Sequence, residues 1–150
     1  REGNRPNIVQ FFKAEYGRSD VSMLIGIKDF TPPKGMRWTQ RDIDTMFAPA
    51  NLKDLVPEGG VMLEGKPIIL EGQKGAMLVY DVTVERLDLK ITMRTLSYSV
   101  LYKNRLISIE FSVGGLMEDR AESVAQFVKN RPLFVMIANS MNILDIYSGN

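Results

Sequence analysis

Ile68-Ile69-Leu70-Glu71-Gly72-Gln73-Lys74-Gly75-Ala76-Met77-Leu78-Val79-Tyr80-Asp81-Val82-Thr83-Val84-Glu85, continued by Leu89 to Tyr102 and Leu106 to Val113, is the stretch that decides the fold. From Ala76, Leu78, Tyr80, Val82 and Val84 alternate with Met77, Val79, Asp81 and Thr83. In the next run Leu96, Tyr98, Val100 and Tyr102 alternate with Thr95, Ser97, Ser99 and Leu101. In the last, Ile107, Ile109, Phe111 and Val113 alternate with Leu106, Ser108, Glu110 and Ser112. A period of two sustained this long predicts half-buried antiparallel strands. Gly72-Gln73-Lys74-Gly75 and Lys103-Asn104 carry the turn chemistry between them, and Gly114-Gly115 is expected to end the sheet.

Downstream, Glu118 or Asp119 is expected to open a helix with Ala121, Val124, Ala125 and Val128 on its inner face. Asn130-Arg131-Pro132 is expected to break it, with Pro132 in the first turn of a second helix. Leu133, Phe134, Ile137, Ala138 and Met141 give that helix its buried stripe, and the tail after Leu144 is expected to fray. Upstream, Asn7 to Tyr16 and Val21 to Lys28 read as a hairpin around Gly17-Arg18-Ser19-Asp20. Thr31-Pro32-Pro33-Lys34-Gly35 reads as a rigid loop. Thr39 follows as an N-cap, with Asp42 three residues on in a short-chained capping box. Ile43, Met46, Phe47 and Ala50 recur at helical spacing, and Pro49 shortens that helix. Val61 to Leu63 and Lys66 to Leu70 read as two short strands interrupted at Gly65.

The chain of 150 residues fits one domain, residues 1 to 150. Its formal net charge is +1, which supplies no basic excess for a phosphate backbone, so nucleic acid is not an expected partner. Cysteine and histidine are both absent. That excludes thiolate nucleophiles, disulfides, Cys/His zinc sites, histidine bases and Ser-His-Asp triads within this chain. Leu133 to Ala138 is far too short to span a bilayer. The sequence opens with Arg1-Glu2-Gly3 rather than Met, as expected of a trimmed or processed chain whose targeting segment lies outside it. No D-x-[DN]-x-[DN]-G calcium loop and no phosphate-binding glycine motif is present.

Several residue groups are weighed for chemistry. Asp42 and Asp44 diverge on a helix, and Glu118, Asp119 and Glu122 sit where a helix dipole favours acidic residues. Ser97 and Ser99 have no histidine to activate them; Lys90 and Lys103 are the formal dyad partners. The loop containing Lys34, Met36, Arg37 and Trp38, the chain's one tryptophan, has the composition of a partner-binding loop; the favoured reading is that Trp38 packs beneath it and staples the helix that follows. Arg94, Tyr98 and Tyr102 share a strand face, with Tyr80 expected on a neighbouring strand. Uncovered, that face is an aromatic binding patch; covered by a helix, it is core. The nine methionines suit a plastic core or an adaptable pocket.

Element order, the capped segment Trp38-Thr39-Gln40-Arg41-Asp42-Ile43, the Gly72-to-Gly75 hairpin and the ending Ile137-Ala138-Asn139-Ser140-Met141-Asn142-Ile143 together resemble the PsbP-like fold. Its members include the extrinsic photosystem II protein, a Ran-binding nuclear import factor and bacterial lipoproteins. The resemblance implies an α+β fold: one PsbP-like domain with an antiparallel sheet of about six strands, an N-terminal hairpin and helices on both faces, in three layers. It also implies a bacterial, extracytoplasmic setting, periplasmic or lipid-anchored, against a cytoplasmic alternative. Histidine metal sites of photosynthetic members cannot transfer here. The expected function is a non-enzymatic binding or accessory domain of the bacterial cell envelope, with another protein as partner and no cofactor or metal. Two alternatives stay open: a small-molecule or lipid carrier with a pocket between sheet and helix, and a carboxylate-based hydrolase.

Overall fold

A computed structural model describes residues 8–16 and 18–144. Asn7, Gly17 and the tail after Leu144, on which expectations were placed, lie outside the described residues. Six strands form one antiparallel sheet: β1 (Ile8–Tyr16), β2 (Ser19–Asp29), β3 (Gly60–Leu70), β4 (Gln73–Arg86), β5 (Leu89–Tyr102) and β6 (Arg105–Leu116), ordered β1-β2-β6-β5-β4-β3. The last four make a meander, and the N-terminal hairpin pairs with it through β2 and β6. Because β3 lies at the edge farthest from β2's side, the chain between them must cross one sheet face. That crossover carries α1 (Gln40–Met46) and a 3₁₀ helix (Pro49–Leu55). The opposite face receives α2 (Arg120–Asn139), entered through a 3₁₀ turn at Met117–Asp119. The fold is therefore α+β in three layers, as the PsbP-like resemblance implies.

Each face has its own apolar cluster. Under α2, Met77, Val79, Leu96, Tyr98, Ile109, Phe111 and Val113 meet Phe127, Phe134 and Ala138. Phe111 stacks on Phe134 with ring centroids 4.9 Å apart. Under the crossover, Ala76, Leu78, Tyr80 and Leu101 meet Phe47 and Leu52. Each buried Phe or Leu withdraws enough apolar area to contribute roughly 1.5–3 kcal/mol.

Several elements differ from their sequence-based expectation. The first hairpin turn of the meander is the two-residue loop Glu71-Gly72, one position earlier than expected, with Leu70 opposite Gln73 and φ of 52° and 72°. Those left-handed dihedrals match the twist of a tight antiparallel hairpin. Lys103-Asn104, with φ of 45° and 61°, does the same where it was expected. Gly65 does not split β3. The strand is continuous, with its irregularity between Met62 and Glu64, and Gly65 makes room: a Cβ there would meet a Leu52 methyl at 3.3 Å. Gly114 and Gly115 do not end the sheet either. A Cβ on Gly114 would lie 2.5 Å from Met93 Cγ and 2.8 Å from the Thr92 carbonyl, so the pair lets β6 run tightly beside its neighbours as far as Leu116.

Nor does Pro132 break the C-terminal helix: α2 runs unbroken through it. Proline's fixed φ is compatible with a helix; the cost is one missing amide donor and crowding of the preceding turn. Val128, whose carbonyl loses that donor, is an exposed residue, so solvent can replace the bond. The inner face of α2 includes Phe134 and Ala138 as expected, but in its first half it is displaced: Ser123 and Phe127 are buried, while Ala121, Ala125 and Val128 face solvent. Phe127 outcompetes the small aliphatic residues because its ring fills more of the interface.

Candidate docking surface

The displacement of α2 has a consequence at its solvent face. A rise of 1.5 Å and 3.6 residues per turn aligns Ala121, Ala125, Val128, Pro132 and Met136 along one line. All five are exposed. Val128 and Met136 keep 62% and 64% of their surface in solvent, and Leu133 on the flank keeps 47%. No residue of that line carries a charge. It runs roughly 22 Å along the helix. A surface helix ordinarily turns an apolar stripe inward and charge outward; on α2 an uncharged line also faces outward, flanked by the exposed Glu122 and Lys129.

Its arginines point toward the sheet instead. Asp81 on β4, itself buried, accepts two hydrogen bonds of 2.8 Å from Arg94 on β5 and one of 3.0 Å from Arg120. The Arg94 guanidinium, helped by Arg120, holds the Asp81 carboxyl below the usual carboxylate range against the opposing effect of burial. Arg94 also lies over the Phe127 ring, 6.0 Å from its centroid. Three turns along α2, Arg131 donates to both Glu64 oxygens at 2.6 and 2.5 Å, and this holds the Glu64 carboxyl down as well. Ser123 Oγ meets Ser19 Oγ at 3.0 Å. Both arginines of α2 are thus committed to fastening the helix, and none is left for its outer line. Fixed in place and unable to turn inward, that line is an exposed uncharged strip along the helix.

The residues singled out in the sequence fall in three places. Lys34, Met36 and Arg37 are exposed on the loop after β2, Met36 by 66%. Trp38 is half-buried: it stacks on Phe30 at 5.2 Å, donates its indole N–H to the Phe30 carbonyl at 2.8 Å, and packs with Ile43 against the crossover cluster. Arg94 and Tyr98 lie beneath α2, Arg94 in the Asp81 network and Tyr98 with 6% exposure in the core. Tyr102 sits at the far end of β5, where Lys103 Nζ lies 5.2 Å from its ring centroid. Tyr80 does not join them: it faces Thr95 on the crossover side. Asp42 completes the capping box with Thr39, and Asp44 pairs with Lys74. Asp119 accepts from Arg18 at 3.1 Å. Ser97 lies mid-strand; Lys90 pairs with Glu85 at one end of β5 and Lys103 follows the other, so no Ser-Lys dyad forms. Among the described residues, no group of three or more acidic side chains stands close enough to share a metal, and no helix is long and apolar enough to cross a membrane. The interface between sheet and α2 is filled by Phe111, Phe127 and Phe134; an open depression of about 480 Å³ lies instead by Phe47, Pro49, Pro67 and Ile69.

Sequence reasoning missed the outer line of α2. Inside and outside are told apart by where Arg120 and Arg131 find their acidic partners, Asp81 and Glu64, and those are distant in the chain.

No family model matches the chain, and no curated protein matches it. Solved structures do. A Pseudomonas aeruginosa protein of unknown function, PA94, is similar with a TM-score of 0.52 at 12% identity, over 95% of this chain and 87% of that one. A cyanobacterial PsbP from Synechocystis sp. PCC 6803 is similar with a TM-score of 0.47 at 13% identity, over 95% and 78%. LpqN of Mycobacterium tuberculosis, involved in cell envelope biogenesis, has a TM-score of 0.35 at 11% identity, over 82% and 61%. At these identities the likeness to PA94 is one of fold alone.

Proposed function

We propose that the chain is a non-enzymatic accessory module of the bacterial cell envelope, which binds another protein through the outer face of α2. The observation that carries this reading is the charge-free line Ala121, Ala125, Val128, Pro132 and Met136 on a helix whose arginines are spent on the sheet. Aromatic, methionine and aliphatic anchors in a desolvated patch carry most of the energy at protein interfaces. Met136 supplies an adaptable anchor, and Ala121 and Ala125 let a partner's backbone come close. The lack of thiol and imidazole groups supports recognition over bond-breaking. The envelope setting rests on the PsbP-like resemblance of the sequence.

Site-specific photo-cross-linking in the source cells tests this. A photoreactive residue at Met136 is expected to give one discrete heteromeric adduct, and one at exposed Thr83 of β4 is expected to give none. No adduct from Met136, or the same adducts from both positions, overturns the proposal. A homodimeric adduct replaces the partner with a second copy of this chain and overturns the heteromeric reading.

A further inference from the structure

On the sheet face opposite α2, strand register arranges side chains in rows. Ser22, Ser112, Thr95 and Tyr80 form one row; Leu24, Glu110, Ser97 and Leu78 the next; Gly26, Ser108, Ser99 and Ala76 the third. Glu110 stands at the centre. Of the eight positions around it on β2, β6 and β5, six are Ser or Thr: Ser22, Thr95, Ser97, Ser99, Ser108 and Ser112. Leu24 and Gly26 complete the ring. The cluster beneath the crossover draws on β4, β5 and the start of β6, through Ala76, Leu78, Tyr80, Leu101 and Leu106, and on no residue of β2. Glu110 and the hydroxyls nearest β2 are therefore only partly covered.

Among the described residues the carboxylate has no counterpart. Glu110 makes neither a hydrogen bond nor an ion pair with any described residue. The hydroxyls bond one another instead, Thr95 with Ser112 at 2.7 Å and Ser97 with Ser99 at 3.4 Å. Burial pushes the Glu110 carboxyl upward, and its charge adds to burial in pushing up the Tyr80 phenol. A half-buried charge without a partner is costly, and such groups are ordinarily paired. This one is held in a ring of neutral hydroxyls, with Leu24 as an apolar wall beside it.

We propose that the β2–β6–β5 face around Glu110 binds a ligand carrying a protonated nitrogen, an alkylammonium or guanidinium group. Such a group brings one positive charge to the one carboxylate. Its three or five N–H donors find the hydroxyl oxygens around it. A hard divalent ion fits the donor set poorly, since it takes six or more oxygens, several of them charged. The same chemistry comes from a free amine or from a Lys or Arg side chain of another protein. This site is on the other side of the sheet from α2 and does not depend on the docking surface there.

The test is titration of the isotope-labelled chain at neutral pH with methylguanidinium, n-butylammonium, potassium chloride and a blocked tripeptide with a central Arg. Amide resonances of Ser97, Ser108 and Glu110 report binding. Expected are saturable shifts with the nitrogen cations and none with potassium. Glu110→Gln, which keeps shape and loses charge, is expected to weaken binding at least tenfold with native resonance dispersion retained. Ser108→Val, which keeps the charge, is expected to weaken it several-fold. Tighter binding of the tripeptide assigns the source to a protein side chain; tighter binding of n-butylammonium assigns it to a free amine. No saturable shift, an equal response to potassium, or full binding by Glu110→Gln overturns the proposal.

Discussion

Two carboxylates show how the surroundings of a single residue set its effect on stability. Asp81 and Glu110 both lie in strands, on opposite faces of the sheet. Asp81 meets two guanidinium groups and its pKa is lowered. A lowered carboxyl contributes stability that is present above its unfolded pKa and is lost as pH falls through its folded value. Asp81→Asn breaks the network that joins α2 to β4 and leaves Arg94 without its partner. We expect it to cost about 2–4 kcal/mol at neutral pH, with the deficit shrinking toward acid; denaturant unfolding at pH 7 and below pH 4 measures both. Glu110 runs the other way. Its pKa is raised by burial, so its protonated form favours the fold, and that contribution fades as pH rises through the folded value. Glu110→Gln should therefore raise the melting temperature at pH 7, with the gain disappearing in acid. A variant less stable than the parent at pH 7 contradicts this.

Among elements, the two helices differ in what holds them. α1 is only seven residues long and buries none of them fully, too short to persist on propensity alone. It depends on the Thr39–Asp42 box and the Trp38 staple. Thr39→Ala should cost about 1 kcal/mol, read by chemical denaturation and by faster amide exchange across residues 40 to 46. α2 is held by packing and by its arginines strongly enough to tolerate Pro132. Pro132→Ala restores a donor to the Val128 carbonyl and should stabilise the chain by roughly 2–3 kcal/mol. Unchanged stability would mean that the helix already avoids the cost by local adjustment. In the strands, period-two alternation was enough to place β5 to the residue; the flanking layers were implied by the PsbP-like resemblance. Glycine was read too simply. Gly65 and Gly114 have turn composition, yet each serves close packing against a neighbour that is distant in sequence, Leu52 and Met93, and local pattern carries no trace of that.

Viewed whole, the molecule is a sheet with two dissimilar faces; the meander and the capping box were legible in the sequence, while the crossover follows only from the strand order. The candidate surfaces were not legible there. Lys34, Met36 and Arg37 stand apart from Arg94 and Tyr98 because loop and helix lie on opposite sides of the sheet. Ala121, Ala125 and Val128 of the line along α2 were assigned to the core because apolar periodicity reports which residues share a side, not which side faces in. The ring around Glu110 exists only across strand register: Ser22, Ser97 and Ser108 are scattered in the chain and meet only once β2, β6 and β5 are paired. The central claim is that α2 turns a binding surface outward, and its most direct test is the affinity of a Val128→Glu, Met136→Glu double variant for the partner captured at that helix. Surface substitutions of this kind should leave stability within about 0.5 kcal/mol each. We predict at least tenfold weaker binding with the fold intact; undiminished affinity in a folded double variant would contradict the account.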